Sequence, residues 1–405
     1  VERAVPFTTG DAPRRLTAMR ILLVSHYALP HTGGIEVVVD ALARRFAAAG
    51  HEVTHLASSA VRAGEAHLDS ADVPYRRVRI AALNITERAL GVPYPLFAPT
   101  LPFAAWREVG LADVVHAHGV LCEGSVAALL AARARGKGTV VTEHVGEVPY
   151  ESRLLRAAQS AAFVSIGRVV LRSARRVLVL NERVENEMRR LDRNAAIVRL
   201  WNGVDTELYR PAAGHEDRQR LRDRLGWAGS RKRLLLVGRL VEKKGVGIAA
   251  AAAAELGDDY ELLLVGPGTV REPLPPNVVM TGVQPPSRVA EMYRAADALL
   301  LPSRGEGFPL AVQEALASGL PVFVPPEPEL TALLAGCGEA AQFVAAEPSA
   351  IAEAVRRFFR NGVDVAGAAA AFARDRFSWQ TIVEQHLRIY AATIRRRGGD
   401  ARDLR

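Results

Sequence analysis

The sharpest chemical signal in this 405-residue chain is Pro302-Ser303-Arg304-Gly305-Glu306-Gly307-Phe308-Pro309-Leu310-Ala311-Val312-Gln313-Glu314-Ala315. Two carboxylates stand eight positions apart, with a glycine-bearing turn before the first. Leu310 to Ser318 reads as a helix stopped at Gly319. Glu314 then falls about one turn into the helix, and Glu306 lies on the loop before it. The backbone N–H groups of Gly307, Phe308, Leu310 and Ala311 open toward a ligand, whereas Pro309 has none to give. A loop carboxylate can hold sugar hydroxyls, and one inside the helix can take both hydroxyls of a ribose. Two surface glutamates flanking a turn would show the same spacing.

A second stretch is Gly238-Arg239-Leu240-Val241-Glu242-Lys243-Lys244-Gly245. Arg239 offers a planar fork suited to phosphate oxygens, and Lys244 a flexible point charge. A solvated basic loop is the other reading. The spacing Gly-x4-Gly-Lys-Ser/Thr of a nucleotide-binding P-loop is absent. A third stretch is Gly33-Gly34-Ile35-Glu36, where two glycines let a ligand approach the backbone and the following helix offers free N–H groups to a diphosphate. A tight turn without a ligand fits these residues equally.

The elements that must position these residues are short apolar strands alternating with Ala-rich helices. Strands are expected at Arg20–Ser25, Val53–Ala57, Arg76–Ile80, Val114–Ala117, Thr139–Thr142, Arg176–Leu180 and Ala196–Leu200. After Pro211 the alternation restarts, with strands at Arg233–Val237, Glu261–Val265, Val278–Thr281, Ala298–Leu301, Val322–Val324 and Ala341–Val344. Near-continuous apolar strands between helices imply parallel sheets covered on both faces. The expected fold class is α/β, doubly wound twice over, with ligands beyond the carboxyl ends of the strands and the two domains facing a central cleft. The expected organisation is a disordered extension over 1–18 with Met19 as the true start, a first Rossmann-like domain over 19–201, a second over 202–377, a last helix over 378–395, and a tail over 396–405.

Composition narrows the classes. Net charge is +8, which suits an anionic partner or an Arg-rich solvated surface. Cys122 and Cys337 form no disulfide framework, so a reducing, cytoplasmic location is expected. No run of eighteen uncharged apolar residues suggests a spanning helix. Aromatic residues make up only 6%, without the basic-aromatic interleaving of a single-strand nucleic-acid binder. Residues 151–176 carry Arg153, Arg156, Arg168, Arg172, Arg175 and Arg176 among apolar residues. They read as a helix packed on its own sheet with a basic outer face, or as a peripheral dock on the inner face of an anionic membrane. His116 and His118 at a strand end are read as facing opposite sides, which argues against a shared metal. Glu143-His144 ends the next strand, either near an acceptor or as a strand cap.

Taken in order, Gly33-Gly34-Ile35-Glu36, Asn202-Gly203-Val204-Asp205, Gly238-Arg239 through Lys244-Gly245, and Glu306 through Glu314 resemble family 4 of the retaining glycosyltransferases, which have the GT-B fold. The resemblance runs from about Met19 to Tyr390. It implies that Arg239 and Lys244 clamp the diphosphate of a nucleotide-sugar donor, that Glu314 binds the ribose, and that Glu306 sits by the transferred sugar. It also implies that Gly34 puts its N–H on the distal phosphate and that His118 lies near the reaction centre. His144, Asn202 and Asp205 fall on the acceptor side or at the domain junction. No cofactor or metal is implied, and no Asp-x-Asp motif occurs. The acceptor could be a natural product, a small metabolite, or a lipid or polysaccharide intermediate. A GT-B epimerase or phosphorylase, or a non-catalytic anion-binding protein, is the rival reading.

Overall fold

The computed structural model describes residues 17–31, 34–60, 72–90, 92, 94–148, 152–227, 229–270, 273–303 and 309–394. Almost all of the expected N-terminal extension, the whole expected tail, and Gly33, Glu306, Gly307 and Phe308 lie outside these residues. The chain divides into two compact units. The described residues of the first fall within Val1–Leu178, Asn186–Val198 and Val383–Arg405, and those of the second within Val179–Glu185 and Arg199–Ile382.

The first sheet is built from β1 (Arg20–Val24), β2 (Glu52–Ser58), β3 (Arg76–Ile80), β6 (Val114–His118), β7 (Gly138–Glu143), β8 (Arg176–Val179) and β9 (Ile197–Arg199), in the spatial order β3-β2-β1-β6-β7-β8-β9. A two-residue hairpin, β4 (Ala82–Leu83) with β5 (Leu96–Phe97), was not expected. Strands this short carry no readable alternation. The pairs from β3 through β7 are parallel. In β1 every residue after Arg20 is buried, as a strand covered on both faces requires. The helix Gly34–Ala48 lays Val38, Val39, Leu42, Ala43 and Phe46 inward at helical spacing.

The second sheet contains β10 (Lys232–Val237), β11 (Tyr260–Val265), β12 (Val278–Gly282), β13 (Ala298–Leu300), β14 (Val322–Val324) and β15 (Ala341–Phe343), ordered β12-β11-β10-β13-β14-β15 and parallel throughout. Leu234, Leu235, Leu236, Leu262, Leu264, Leu299 and Leu300 fill its centre. Each buried leucine contributes about 1.5–3 kcal/mol. Against it lies the helix Val246–Leu256, which buries Ala249, Ala250, Ala252 and Ala253, small residues that permit close approach.

Both sheets reverse their winding at one place. In the first, β1 lies between β2 and β6. In the second, β10 lies between β11 and β13. Crevices of this kind, at the carboxyl edge, are where open α/β sheets bind ligands.

The last helix, Trp379–Thr393, starts against the 202–205 loop. Val204 N–H donates to Phe377 O at 2.7 Å, and Trp379 N–H donates to Val204 O at 3.2 Å. Gly203 is required there, since a Cβ would sit 2.4 Å from the Trp379 ring. Farther along, Tyr390 is buried against Phe46 and hydrogen-bonded to His116.

The arginine-rich stretch forms one helical run, Arg153–Ser173, with a π-helical turn at Phe163–Gly167. By length and composition alone it is long and apolar enough to cross a membrane, with its arginines toward the two ends. Phe163, Val170 and Leu171 are nevertheless buried in the protein.

Candidate functional site

In the second unit, the segments after β10, β11 and β13 interlock at the carboxyl edge. Leu240 N–H donates to Pro267 O at 2.7 Å, and Leu240 bridges Gly268. A Cβ on Gly266 would meet Gly238 O at 2.1 Å, and one on Gly245 would meet Pro302 O at 2.4 Å. Glycine at these positions is a packing requirement, and it joins the Arg239–Lys244 turn to the start of the Pro302 segment. Arg239 is exposed immediately after β10. Lys244 closes a 3-10 turn, Glu242–Lys244, and its Cε lies 3.8 Å from where a Gly238 Cβ would stand. Its side chain therefore folds back over the strand end.

The helix Leu310–Ala317 follows β13, on the other side of the same switch point, and its N-terminus has no side-chain cap. Leu310 is exposed and Ala311 buried in its first turn. Glu314 lies beside two tyrosines, Tyr209 and Tyr293, and the Tyr293 hydroxyl donates to Ala311 O at 3.3 Å. The two rings meet edge to face at 5.9 Å, and Tyr293 is fully buried. Burial raises the Glu314 carboxyl above its ordinary range, while the two hydroxyls pull it back down.

In the first unit, the carboxyl edge around β1, β6 and β7 gathers Gly34, His26, His118 and His144. Gly34 opens its helix, and a Cβ there would meet nothing. His118 Nδ1 and His144 Nε2 lie 2.9 Å apart, and His118 Nε2 is buried with no partner. Burial, then the neighbouring imidazoles, holds His118 well below the ordinary histidine range. Burial lowers His144 to about 4. Both rings are thus neutral near pH 7, and His118 presents one uncommitted nitrogen as a hydrogen-bonding group rather than a cation.

One expectation fails. His116 and His118 do not face opposite sides: their rings are 4.2 Å apart, because residues two apart in a strand share a face. His116 is nonetheless committed inside the fold, to Tyr390 Oη at 2.6 Å and Thr142 Oγ1 at 2.7 Å. Glu143 acts as a clamp, accepting N–H bonds from Val120, Val145 and Gly146. Asp205 accepts from the N–H groups of Glu207 and Leu208, both at 3.1 Å, as a turn cap does. Among the described residues, no group of three or more His, Cys, Asp or Glu could hold a metal.

Sequence reasoning missed His31. It stacks on Tyr27 at 3.8 Å and lies between Glu36, at 3.6 Å, and Glu87, at 3.3 Å. Burial lowers its pKa, but the two carboxylates outweigh that and the net shift is upward. Glu36 of the glycine motif thus braces the loop before its helix. A histidine and an acid bracketing the two glycines was the available signal. Tyr209 and Tyr293 gave none, standing 105 and 21 positions from Glu314.

Residues 32–208 match the family model described as Glycosyltransferase Family 4, and residues 231–361 the one described as Glycosyl transferases group 1. The chain is 30% identical over 427 residues to a D-inositol 3-phosphate glycosyltransferase of Catenulispora acidiphila, covering 95% of this chain and 97% of that one. A teichuronic acid biosynthesis glycosyltransferase of Bacillus subtilis is 31% identical over 211 residues, which is 52% of each chain. Among solved structures, Anabaena HepE in complex with UDP superposes with a TM-score of 0.70 at 18% identity, covering 92% of this chain and 100% of that one.

Proposed function

Because this chain belongs to glycosyltransferase family 4 and has the GT-B fold, we propose that its transfer of a sugar from a nucleotide-diphosphate donor to an acceptor hydroxyl proceeds with retention of anomeric configuration and without a metal. The observation that carries this reading is the placement of the chemistry-bearing residues. Among the described residues, Arg239 and Lys244 follow β10 and Glu314 lies in the helix after β13, on the two sides of one switch point.

The roles follow from charge. Departure of a nucleoside diphosphate builds negative charge, and the fixed cations Arg239 and Lys244 stabilise it where it forms. Glu314, beside Tyr209 and Tyr293, is the acceptor for ribose hydroxyls. Glu306, Gly307 and Phe308 complete the donor loop in this reading but lie outside the described residues. Gly34 offers its N–H to the distal phosphate, and the unpartnered Nε2 of His118 serves a sugar hydroxyl. The sugar becomes oxocarbenium-like, and leaving phosphate and incoming hydroxyl share one face, so no covalent nucleophile is assigned. His144 and the 202–205 loop belong to the acceptor side. The named relatives do not favour an epimerase, a phosphorylase or a non-catalytic anion binder.

A second reading concerns location. The helical run Arg153–Ser173 leaves Leu154 79% exposed, and Val164, Ile166 and Val169 are exposed beside its arginines. That surface suits peripheral docking on an anionic membrane from the cytoplasmic side.

The test is a thermal-shift screen over uridine, guanosine, adenosine and thymidine diphosphates, followed by product anomer assignment with the stabilising donor. A nucleoside diphosphate that binds the native state raises the melting point by mass action. No stabilisation by any of the four, or an inverted product anomer, would end this reading.

A further inference from the structure

One acid of the glycine motif has no part in the donor contacts above. Glu36 lies in the first turn of the helix Gly34–Ala48 and is 7% exposed. A carboxylate buried there competes with any anion for the free N–H groups of that turn. We propose that His31 is a positioning residue for the donor: its imidazolium masks the Glu36 charge and so leaves the first turn of this helix open to a diphosphate. This role rests on the reading in which Gly34 meets the distal phosphate.

The surroundings of His31 suit a charged ring. His31 is buried, with Nδ1 3.6 Å from Glu36 Oε1 and Nε2 3.3 Å from Glu87 Oε2. Its ring lies flat on Tyr27, with centroids 3.8 Å apart and planes 4° from parallel, which fixes its plane between the two acids. Tyr27 Oη donates to Asn84 Oδ1 at 2.7 Å, and Asn84 Nδ2 donates to Glu87 Oε2 at 2.6 Å. The groups that face the imidazole are thus Glu36 from one helix, Glu87 from the helix Ile85–Leu90, and Tyr27 from the loop after β1. Glu36 has no other ion-pair partner among the described residues. With a neutral ring, two carboxylates would flank an uncharged group in a buried corner, which is costly.

Burial alone would keep the ring neutral, but the two acids outweigh it and the His31 pKa moves upward. Burial drives the other histidines of this edge, His26, His118 and His144, the opposite way. They undergo no charge change above about pH 6.5, so a transition there belongs to His31 rather than to them. Below its folded pKa, His31 is charged and cancels Glu36. Above it, Glu36 stands bare in the first turn and repels the diphosphate. Donor binding must therefore weaken as pH rises. An anion bound beside Glu36 in turn favours the charged ring, so binding takes up protons near that pKa. The phosphates of a nucleoside diphosphate sugar do not titrate in this range, and the uptake reports the protein.

The experiment is calorimetric titration of the full chain with UDP-, GDP-, ADP- and dTDP-glucose from pH 6 to pH 9, in buffers of differing ionisation enthalpy. It compares the wild type, His31→Gln, Glu36→Gln and the double variant. The tightest of the four probes is expected to bind the wild type about tenfold more weakly at pH 9 than at pH 6, with proton uptake at intermediate pH. His31→Gln should already bind about tenfold more weakly at pH 6 and show no pH dependence. Adding Glu36→Gln to it should restore the lost affinity, which a merely structural ring would not allow. If His31→Gln melts early, Glu36→Gln decides alone, by losing most of the pH dependence and the proton uptake. A wild-type affinity flat from pH 6 to pH 9, a double variant no tighter than His31→Gln, or full pH dependence in Glu36→Gln overturns the proposal and leaves the donor reading standing. Binding of none of the four probes at any pH overturns the donor reading, and this role with it.

Discussion

At Glu314 burial raises the carboxyl above its ordinary range, and the neighbouring hydroxyls of Tyr293 and Tyr209 offset part of that rise. Removing one hydroxyl should loosen it without touching the leaving group. Tyr293→Phe is therefore expected to raise the donor KM about tenfold with little change in kcat, since hydrogen bonds to charged groups contribute about 1.5–3 kcal/mol. Glu314→Gln should act in the same direction, and initial-rate kinetics against donor concentration check both. Lys244 makes the opposite case. Its charge matters most as the diphosphate departs, so Lys244→Ala should lower kcat about 100-fold or more while the circular dichroism spectrum stays unchanged. Unaltered turnover would remove it from the site. At this scale the sequence was partly legible. Arg239, Lys244 and Glu314 stand in ordered motifs with glycine neighbours. Tyr209 and Tyr293 come from other elements, and only packing brings them to Glu314. His31 was missed because its meaning depends on Glu87, 56 positions away.

The elements carry their own constraints. The segments after β10, β11 and β13 meet backbone to backbone, so side-chain volume cannot be added at Gly245 or Gly266. Gly245→Ala must displace Pro302 O and hold a φ of 71°, and should destabilise the protein by about 2–4 kcal/mol, read from urea unfolding. A loss under about 0.5 kcal/mol would mean that the interlock yields easily. The helical run Arg153–Ser173 gives a second element-scale prediction. Leu154→Glu with Arg156→Glu should abolish sedimentation with phosphatidylglycerol vesicles and spare activity on a soluble acceptor. Equal sedimentation of wild type and variant would leave this face a solvated surface. Long elements were readable from apolar periodicity, and the observed strand limits differ from expectation by a residue or so. The hairpin of β4 and β5 was not, since two-residue strands owe their pairing to neighbours rather than to pattern.

Over the whole molecule, the two sheets follow from composition alone, because parallel strands buried on both faces must read as apolar runs. The buried histidines were counted in the sequence, but their burial was not legible there. Burial lowers His26 and His144 to about 4 and His55 to about 3, with Arg79 and Arg77 adding to the effect at His55. Between about pH 6.5 and these values the unfolded chain binds more protons than the native one, so stability must fall as pH falls. Each such group adds up to about 1.4 kcal/mol per pH unit. His31 has the opposite sign: its raised pKa stabilises below about pH 6.5, and that contribution fades as pH climbs through the folded value. Urea midpoints from pH 7 to pH 4 should drop steeply in the wild type and less in His144→Asn. A flat profile would contradict the burial of these rings. The terminal helix carries one more consequence. Its opening turn, through Ile382, groups with the second unit, while Tyr390 is wedged beside Phe46 and His116 of the first. Severing the chain near residue 201 would therefore produce an N-terminal fragment with a hole beneath its sheet and His116 Nδ1 without its hydroxyl partner. Reconstituting that half in isolation would require supplying the last dozen or so helical residues as a separate peptide.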